Sequence, residues 1–219
     1  MLTFEDVKNS ELVSTYITHA DESLCALGFT EHSFAHVTRT AEDAGYILRT
    51  LGYPERDVEL AMISGYLHDI GNLVNRDNHS LSGAVMAFRI LESLGFPPAE
   101  IATVTTAVGN HDEATGVPVN HICAALILAD KSDVRRSRVR NTEISGFDIH
   151  DRVNYSVKKS VLKINEEQTL IKLKLTVDTK YGSVMDYFEI FLGRMIMCRK
   201  AANRLKLEFK LIINEQQLI

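Results

Sequence analysis

The run Leu67-His68-Asp69-Ile70-Gly71 sets an imidazole beside a carboxylate at the close of an apolar helical stretch. Neighbouring side chains on a helix diverge, so these two can reach a common point only beyond the helix tip, where a cation would sit. Imidazole plus carboxylate suits Fe, Mn, Co, Ni or Zn better than the all-oxygen shell favoured by Ca or Mg. Alone, a His-Asp pair is a weak signal, and four further elements strengthen it. His36 opens Val-Thr-Arg39-Thr-Ala-Glu-Asp43, with Arg39 and Asp43 on its face at i+3 and i+7. His79 stands at a helix start in Asn78-His79-Ser80, and His111 follows a helix in Gly109-Asn110-His111-Asp112-Glu113. Asp130 interrupts the apolar run Ala124-Ala-Leu-Ile-Leu-Ala-Asp130-Lys131, where an unpaired carboxylate would be costly to bury. There is no Gly-x-Ser-x-Gly element, no Walker loop and no Gly-x-Gly-x-x-Gly, so nothing supports a serine nucleophile or the use of ATP or NAD.

These residues need a frame, and the apolar periodicity describes one. Helices are expected near 11–27, 33–51, 55–71, 80–94, 98–110 and 120–136. Gly28, Gly52 and Gly95 each stand just past one of them, and Pro54 and Pro97-Pro98 stand at helix starts. After Arg140 the pattern changes. Apolar and polar residues alternate on both sides of Asn165–Gln168, which predicts a hairpin; residues 183–203 return to helical spacing, and a closing strand follows Lys206. The fold class is therefore mainly α, an all-helical core over 1–145 carrying the site, followed by a small α+β (β-β-α-β) unit over 146–219. The aromatics and methionines of that unit (Met185, Tyr187, Phe188, Phe191, Met195, Met197) are expected to be core.

A chain of 219 residues is long enough to bury a core without a disulfide or a structural metal. Its three cysteines are scattered and odd in number, which suits buried thiols in a reducing cytoplasm. The start, Met1-Leu-Thr-Phe-Glu-Asp, lacks the basic and apolar regions of a secretory signal, and no run of 18 apolar residues occurs, so a cytoplasmic protein without a membrane span is expected. Charge is uneven: residues 1–140 carry a net −8 and residues 141–219 a net +3. With a total of −5 there is no bulk drive towards nucleic acid. The exception is Lys131-Ser-Asp-Val-Arg135-Arg136-Ser-Arg138-Val-Arg140, a solvated face or a phosphate contact.

Taken in order, His36, His68-Asp69 and Asp130 with their surroundings "HVTRTAEDA", "ELAMISGYLHDIGN" and "AALILADKSD" resemble the H…HD…D pattern of the HD-domain superfamily of metal-dependent phosphohydrolases. "HSLSGAVMAFRILESLG" and "VGNHDEATG" resemble the added histidine motifs of its binuclear branch, which includes the HD-GYP cyclic dinucleotide phosphodiesterases and the bacterial symmetrical diadenosine tetraphosphate hydrolases. The resemblance spans about residues 30–140. It implies two divalent metal ions, Fe or Mn foremost, with Co, Ni, Zn or Mg open. His36, His68, Asp69 and Asp130 would hold the first, His79 and His111 the second, with Asp69 bridging. His32, four residues earlier, competes with His36, but the spacing from His36 to Arg39, Ala41 and Ala44 fits the family better. His19, His121 and His150 match no motif. Asn72 stands where the phosphodiesterases often have Lys, and no GYP element follows, which argues against cyclic dinucleotides.

The implied activity is hydrolysis of a phosphate ester of a nucleotide or related small molecule, by a mono- or diesterase. Two neighbouring cations would lower the pKa of a shared water, so that the attacking hydroxide needs no protein nucleophile. Asp69, Lys131 and Arg135 are the expected catalytic side chains. Arg39, Lys131 and Arg135 are the expected substrate contacts, and Asp43 and Asp112 the acceptors that orient a ligand imidazole or a water. Two alternatives from other classes stand beside this: an HD-type di-iron oxygenase, which shares the ligand set, and a metal-binding sensor whose C-terminal unit engages a partner. The expected partner is a small phosphorylated substrate, with a homodimer through an exposed strand edge left open.

Overall fold

The computed structural model of the chain describes residues 1–141 and 143–218. The expected helices form nearly where the periodicity sets them: α2 (Glu11–Ala26), α3 (Phe34–Thr50), α4 (Glu55–Leu67), α5 (His79–Leu94), α6 (Pro98–Gly109) and α7 (His121–Ser132), preceded by a short α1 (Phe4–Lys8). Gly28, Gly52 and Gly95 all have positive φ, as a helix C-terminal turn requires. Two expected helices end early. The one drawn to Gly71 stops at Leu67, and a 3-10 turn over Ile70–Leu73 follows. The one drawn to Arg136 stops at Ser132, because Asp133 adopts ψ 70 and leaves the helical path. Both breaks fall at the site.

α7 is the axis of the molecule. Every residue from Ile122 to Ser132 is buried, and α3, α4, α6 and α9 pack around it. Two glycines set the spacing of the elements that carry the site. A Cβ on Gly65 would lie 2.7 Å from Ala41 Cα, so α4 and α3 touch backbone to backbone there and His68 is brought up to His36. A Cβ on Gly71 would overlap the carbonyl of His79, so the turn after Asp69 lies directly on the start of α5.

The C-terminal unit is as expected in order but richer. α8 (Ile149–Ser156), β1 (Val157–Ile164), β2 (Leu170–Val177), α9 (Val184–Arg204), β3 (Glu208–Ile213) and β4 (Gln216–Gln217) build a sheet of order β1-β2-β3-β4. β1 and β2 form the antiparallel hairpin, whose turn is closed by Asn165 Oδ1 accepting from the backbone N–H groups of Thr169 and Leu170. β2 and β3 are parallel, as the α9 crossover demands. β4 returns antiparallel through Asn214 and Glu215, both at positive φ. Ile171, Leu173, Leu175, Phe209, Leu211 and Ile213 are buried, and α9 packs on both β3 and α7.

One cluster of buried apolar side chains runs through the helical segment and the C-terminal unit alike. Two expectations need correcting. Met185 is 74% exposed rather than core. Cys25 is exposed, while Cys123 and Cys198 are buried with burial raising their thiol pKa values to about 11 and about 12. Among the described residues no helix is long and apolar enough to cross a membrane.

Candidate metal centre

Six side chains from five places in the chain meet at one point. His36 comes from the first turn of α3, and His68 and Asp69 from the break after α4. His79 opens α5, His111 follows α6 and Asp130 belongs to α7. All six are buried. His36 Nε2 lies 3.2 Å from His68 Nε2, and both lie within 3.6 Å of Asp130 Oδ1. His79 Nε2 lies 3.2 Å from His111 Nε2. Asp69 serves both pairs: Oδ2 is 3.4 Å from His36 and 3.1 Å from His68, while Oδ1 is 3.5 Å from His79. The donor atoms of His36, His68 and Asp130, and those of His68, Asp69 and His111, are close enough to share an ion.

Each ring is also fixed from behind. His68 Nδ1–H donates to Gly65 O (2.8 Å), His79 Nδ1–H to Arg76 O (3.1 Å), His111 Nδ1–H to Val108 O (2.6 Å) and His36 Nδ1–H to the Asp133 carboxylate (2.8 Å). Carbonyl and carboxylate oxygens only accept, so Nδ1 carries a hydrogen in all four rings and Nε2 is the nitrogen turned into the cluster. That arrangement tests the site. Burial, with the charges of neighbouring groups, holds His111 well below its ordinary pKa and lowers that of His79. Two neutral rings then face each other lone pair to lone pair at 3.2 Å, which no hydrogen bond can satisfy and a cation would. The residues fit a metal.

The other pair lies in a stronger field. Burial pushes the carboxyls of Asp69 and Asp130 up, but His68 beside Asp69, and Lys131 with His68 beside Asp130, hold both well below the carboxylate range. In return, burial disfavours a charged His68 and the two carboxylates overcome it, raising that imidazole to about 10. Without a cation, a proton balances this half.

The surroundings differ in part from the expectation. Lys131 lines the cavity beside the cluster, with Nζ 2.8 Å from Asp130 Oδ2 and 2.7 Å from Glu113 Oε2. Arg39 and Arg135 are not among the residues lining it. The helix ends at Ser132, so Arg135 does not continue the face of Lys131. Its guanidinium instead binds Asp133 and Glu31, and Arg39 donates to Ser160 O and lies near Asp43 and Asp133. Asp43 therefore faces Arg39, and among the described residues it accepts from none of the four clustered imidazoles. The acceptor behind His36 is Asp133, three residues after Asp130 in "ADKSD", a spacing that could have flagged it. Asp112 Oδ2 is 3.9 Å from His79 Nε2, and its other oxygen caps Ala114. Asn72 donates to Asp69 Oδ1 (3.0 Å) and fixes that carboxylate. His32 also lines the cavity, beside His36. Of the histidines without a motif, His150 is exposed at the rim, His19 pairs with Glu22, and His121 stacks on Tyr53.

The HD domain family model matches residues 33–143, just over half of the chain, and all six side chains fall within it. An uncharacterized protein of Methanocaldococcus jannaschii, MJ1020, is 25% identical over 206 residues, covering 83% of this chain and 78% of that one. A crystal structure of a predicted HD superfamily hydrolase from an uncultured Thermotogales bacterium aligns with a TM-score of 0.44 and 24% identity, over 57% of this chain and 67% of that one.

Proposed function

Because this chain belongs to the HD-domain family, we propose that it is a metal-dependent phosphohydrolase that cleaves a phosphate ester of a nucleotide or a related small molecule. The observation that carries the reading is the split of Asp69, one oxygen towards each histidine pair, with every ring tautomer fixed from behind. On this reading His36, His68, Asp69 and Asp130 would hold one divalent cation, and His79 and His111, with Asp69 shared, would hold a second. Imidazole with carboxylate suits Fe, Mn, Co, Ni or Zn, and the family resemblance puts iron or manganese first. Bound there, the cations supply Lewis acidity: they make a water acidic and neutralise the charge that builds on a phosphoryl group.

The chain's own residues do the rest. Asp133, Gly65 O, Arg76 O and Val108 O keep the four rings turned inwards. Asn72 holds the Asp69 carboxylate with one oxygen towards each histidine pair. Lys131, kept protonated by Asp130 and Glu113 although burial works against its charge, lines the cavity, where a phosphate oxygen can accept from its Nζ.

The test is metal analysis of purified protein together with a nucleotide and generic phosphoester panel assayed after iron or manganese loading. The expected result is about two metal ions per chain and metal-dependent hydrolysis of at least one ester. Fully loaded protein that cleaves none of them would overturn the activity.

A further inference from the structure

The Arg39 guanidinium is engaged by Ser160 O and by Asp43 and Asp133, that of Arg135 by Asp133 and Glu31, and that of Arg138 by backbone carbonyls of Glu31 and Asp133. Two other arginines are held differently. Arg76 donates from Nη1 to Asn72 Oδ1 (3.2 Å) and lies over the Phe29 ring, 5.6 Å from its centroid. Arg194 donates from Nε to Glu113 Oε1 (3.0 Å) and lies over the Phe191 ring, 4.5 Å from its centroid. Each guanidinium is thus anchored at one edge and backed by a phenyl face, and among the described residues its remaining N–H groups have no protein acceptor. Both are half-buried, and both line the cavity of about 330 Å³ that Asp69, His79, His111 and Asp130 also line.

Such an arrangement is what an anion site requires. A guanidinium presents five donors in a planar fork, and immobilising it beforehand lowers the ordering cost when an anion arrives. Among the described residues the cavity is lined by Asp69, Asp130, Asp148 and Asp151 beside Arg76, Lys131, Arg138 and Arg194, so what favours an anion is the unused donors of the guanidinium groups and not the total charge. Glu113 is shared between Lys131 and Arg194, and among the described residues Arg76 has no ion-pair partner. Any cation held by the six ligands adds further positive charge. The two arginines also reach the cavity from distant parts of the chain. Arg76 follows the 3-10 turn after Asp69, held by the same Asn72 that orients Asp69, and Arg194 belongs to α9 of the C-terminal unit.

We propose that Arg76 and Arg194, with Lys131, form the anion-binding rim that receives the phosphate of the substrate, so that α9 supplies a specificity-determining residue of the site. Resting on the phosphohydrolase reading, this gives the C-terminal unit a share in substrate binding. It fits a small phosphoester whose anionic group enters between the two arginines.

The experiment uses the full chain, loaded with manganese and desalted, and titrates inorganic phosphate calorimetrically. Arg76→Ala and Arg194→Ala are each expected to weaken phosphate binding roughly tenfold at unchanged manganese content, the size expected for one charge-assisted hydrogen bond. Arg76→Lys and Arg194→Lys, which keep the charge and lose the fork, should recover part of the loss. In ester hydrolysis the alanine variants should raise KM far more than they lower kcat. Wild-type phosphate affinity in both alanine variants would overturn the proposal. Should an alanine variant lose manganese, the lysine variants decide: affinity equal to wild type in both overturns it, and an intermediate loss supports it. Phosphate binding that depends on the two arginines in a protein that hydrolyses no ester would instead leave the rim standing and remove the phosphohydrolase reading.

Discussion

The two histidine pairs of the site are built from the same side chains but sit in opposite electrostatic settings. Around His36 and His68 stand Asp69, Asp130 and Asp133, and the field they create raises both imidazoles against the effect of burial. Around His79 and His111, among the described residues, one oxygen of Asp69 lies 3.5 Å from His79 and Asp112 lies 3.9 Å away, and burial dominates, so both rings stay neutral. One half must exchange a proton for a cation; the other offers two bare lone pairs and little charge. The difference teaches that the halves need not load alike: the first is the charged anchor, and the second depends on the carboxylate they share.

The largest expected effect breaks both halves together. Asp69→Ala removes the oxygen facing each pair, so metal content should fall from about two ions per chain to near none, and hydrolysis by about a thousandfold or more. Retention of one tightly held ion would show that the bridge is not shared. His111→Ala strikes one half only. It should leave one ion bound at the charged pair and reduce activity severely, as metal analysis beside a rate measurement would reveal. Loss of both ions in that variant would contradict the independence drawn from the electrostatics.

Titration separates the halves without mutation. The folded-state pKa of His68 is raised from 6.5 to about 10 by Asp69 and Asp130, which outweigh burial. A group raised on folding stabilises the metal-free protein fully below its unfolded pKa, and that stability is lost as pH climbs through the folded value. Chelated protein should therefore melt at progressively lower temperature from about pH 6.5 to about pH 10. Metal affinity of the charged half should move the other way, rising by up to about tenfold per pH unit as the competing proton leaves. For the His79–His111 pair, whose pKa values are lowered, no such gain is expected in that window. Equal pH slopes for two successive binding events would erase the distinction between the halves.

How much of this could be read in the chain beforehand divides along the same lines. All six side chains that meet at the site were legible, not singly but from their order and surroundings, which resemble the H…HD…D pattern with its added histidine motifs. Most helices were legible from period alone, whereas α1, α8 and β4 are too short to show one. What went wrong depended on one helix end. Carrying α7 past Ser132 put Arg135 on the face of Lys131; the actual turn at Asp133 folds that carboxylate onto His36 and draws Arg135 and Arg39 to it. Arg194 had no local signal at all, since its place at the cavity is set by α9 packing on α7, a contact between residues far apart in sequence.

Asp133 itself supplies a finer test. Asp133→Asn keeps an acceptor for His36 Nδ1 but removes the charge behind it, a change that costs about 10- to 100-fold in metal affinity at comparable sites. The loss should fall on the charged half, with the ion held by His79 and His111 little affected, and stepwise metal titration resolves the two.

The smallest effect should come from backbone spacing. In an ordinary helix Gly→Ala stabilises by up to about 1 kcal/mol. At Gly65 the added methyl would meet Ala41 Cα at 2.7 Å, Ala41 N at 2.8 Å and the Thr40 carbonyl carbon at 3.0 Å, and no rotamer can move backbone atoms aside. α4 must therefore draw back from α3, which outweighs the helical gain and should lower stability by about 1–3 kcal/mol in denaturant unfolding. Because α3 carries His36 and α4 delivers His68, the same displacement widens the charged pair. Affinity there should drop, though less than in Asp133→Asn, while the His79–His111 pair, set by the turn at Gly71, keeps its spacing. A Gly65→Ala protein as stable as wild type would mean that the close approach of α3 and α4 is not what brings the charged half together.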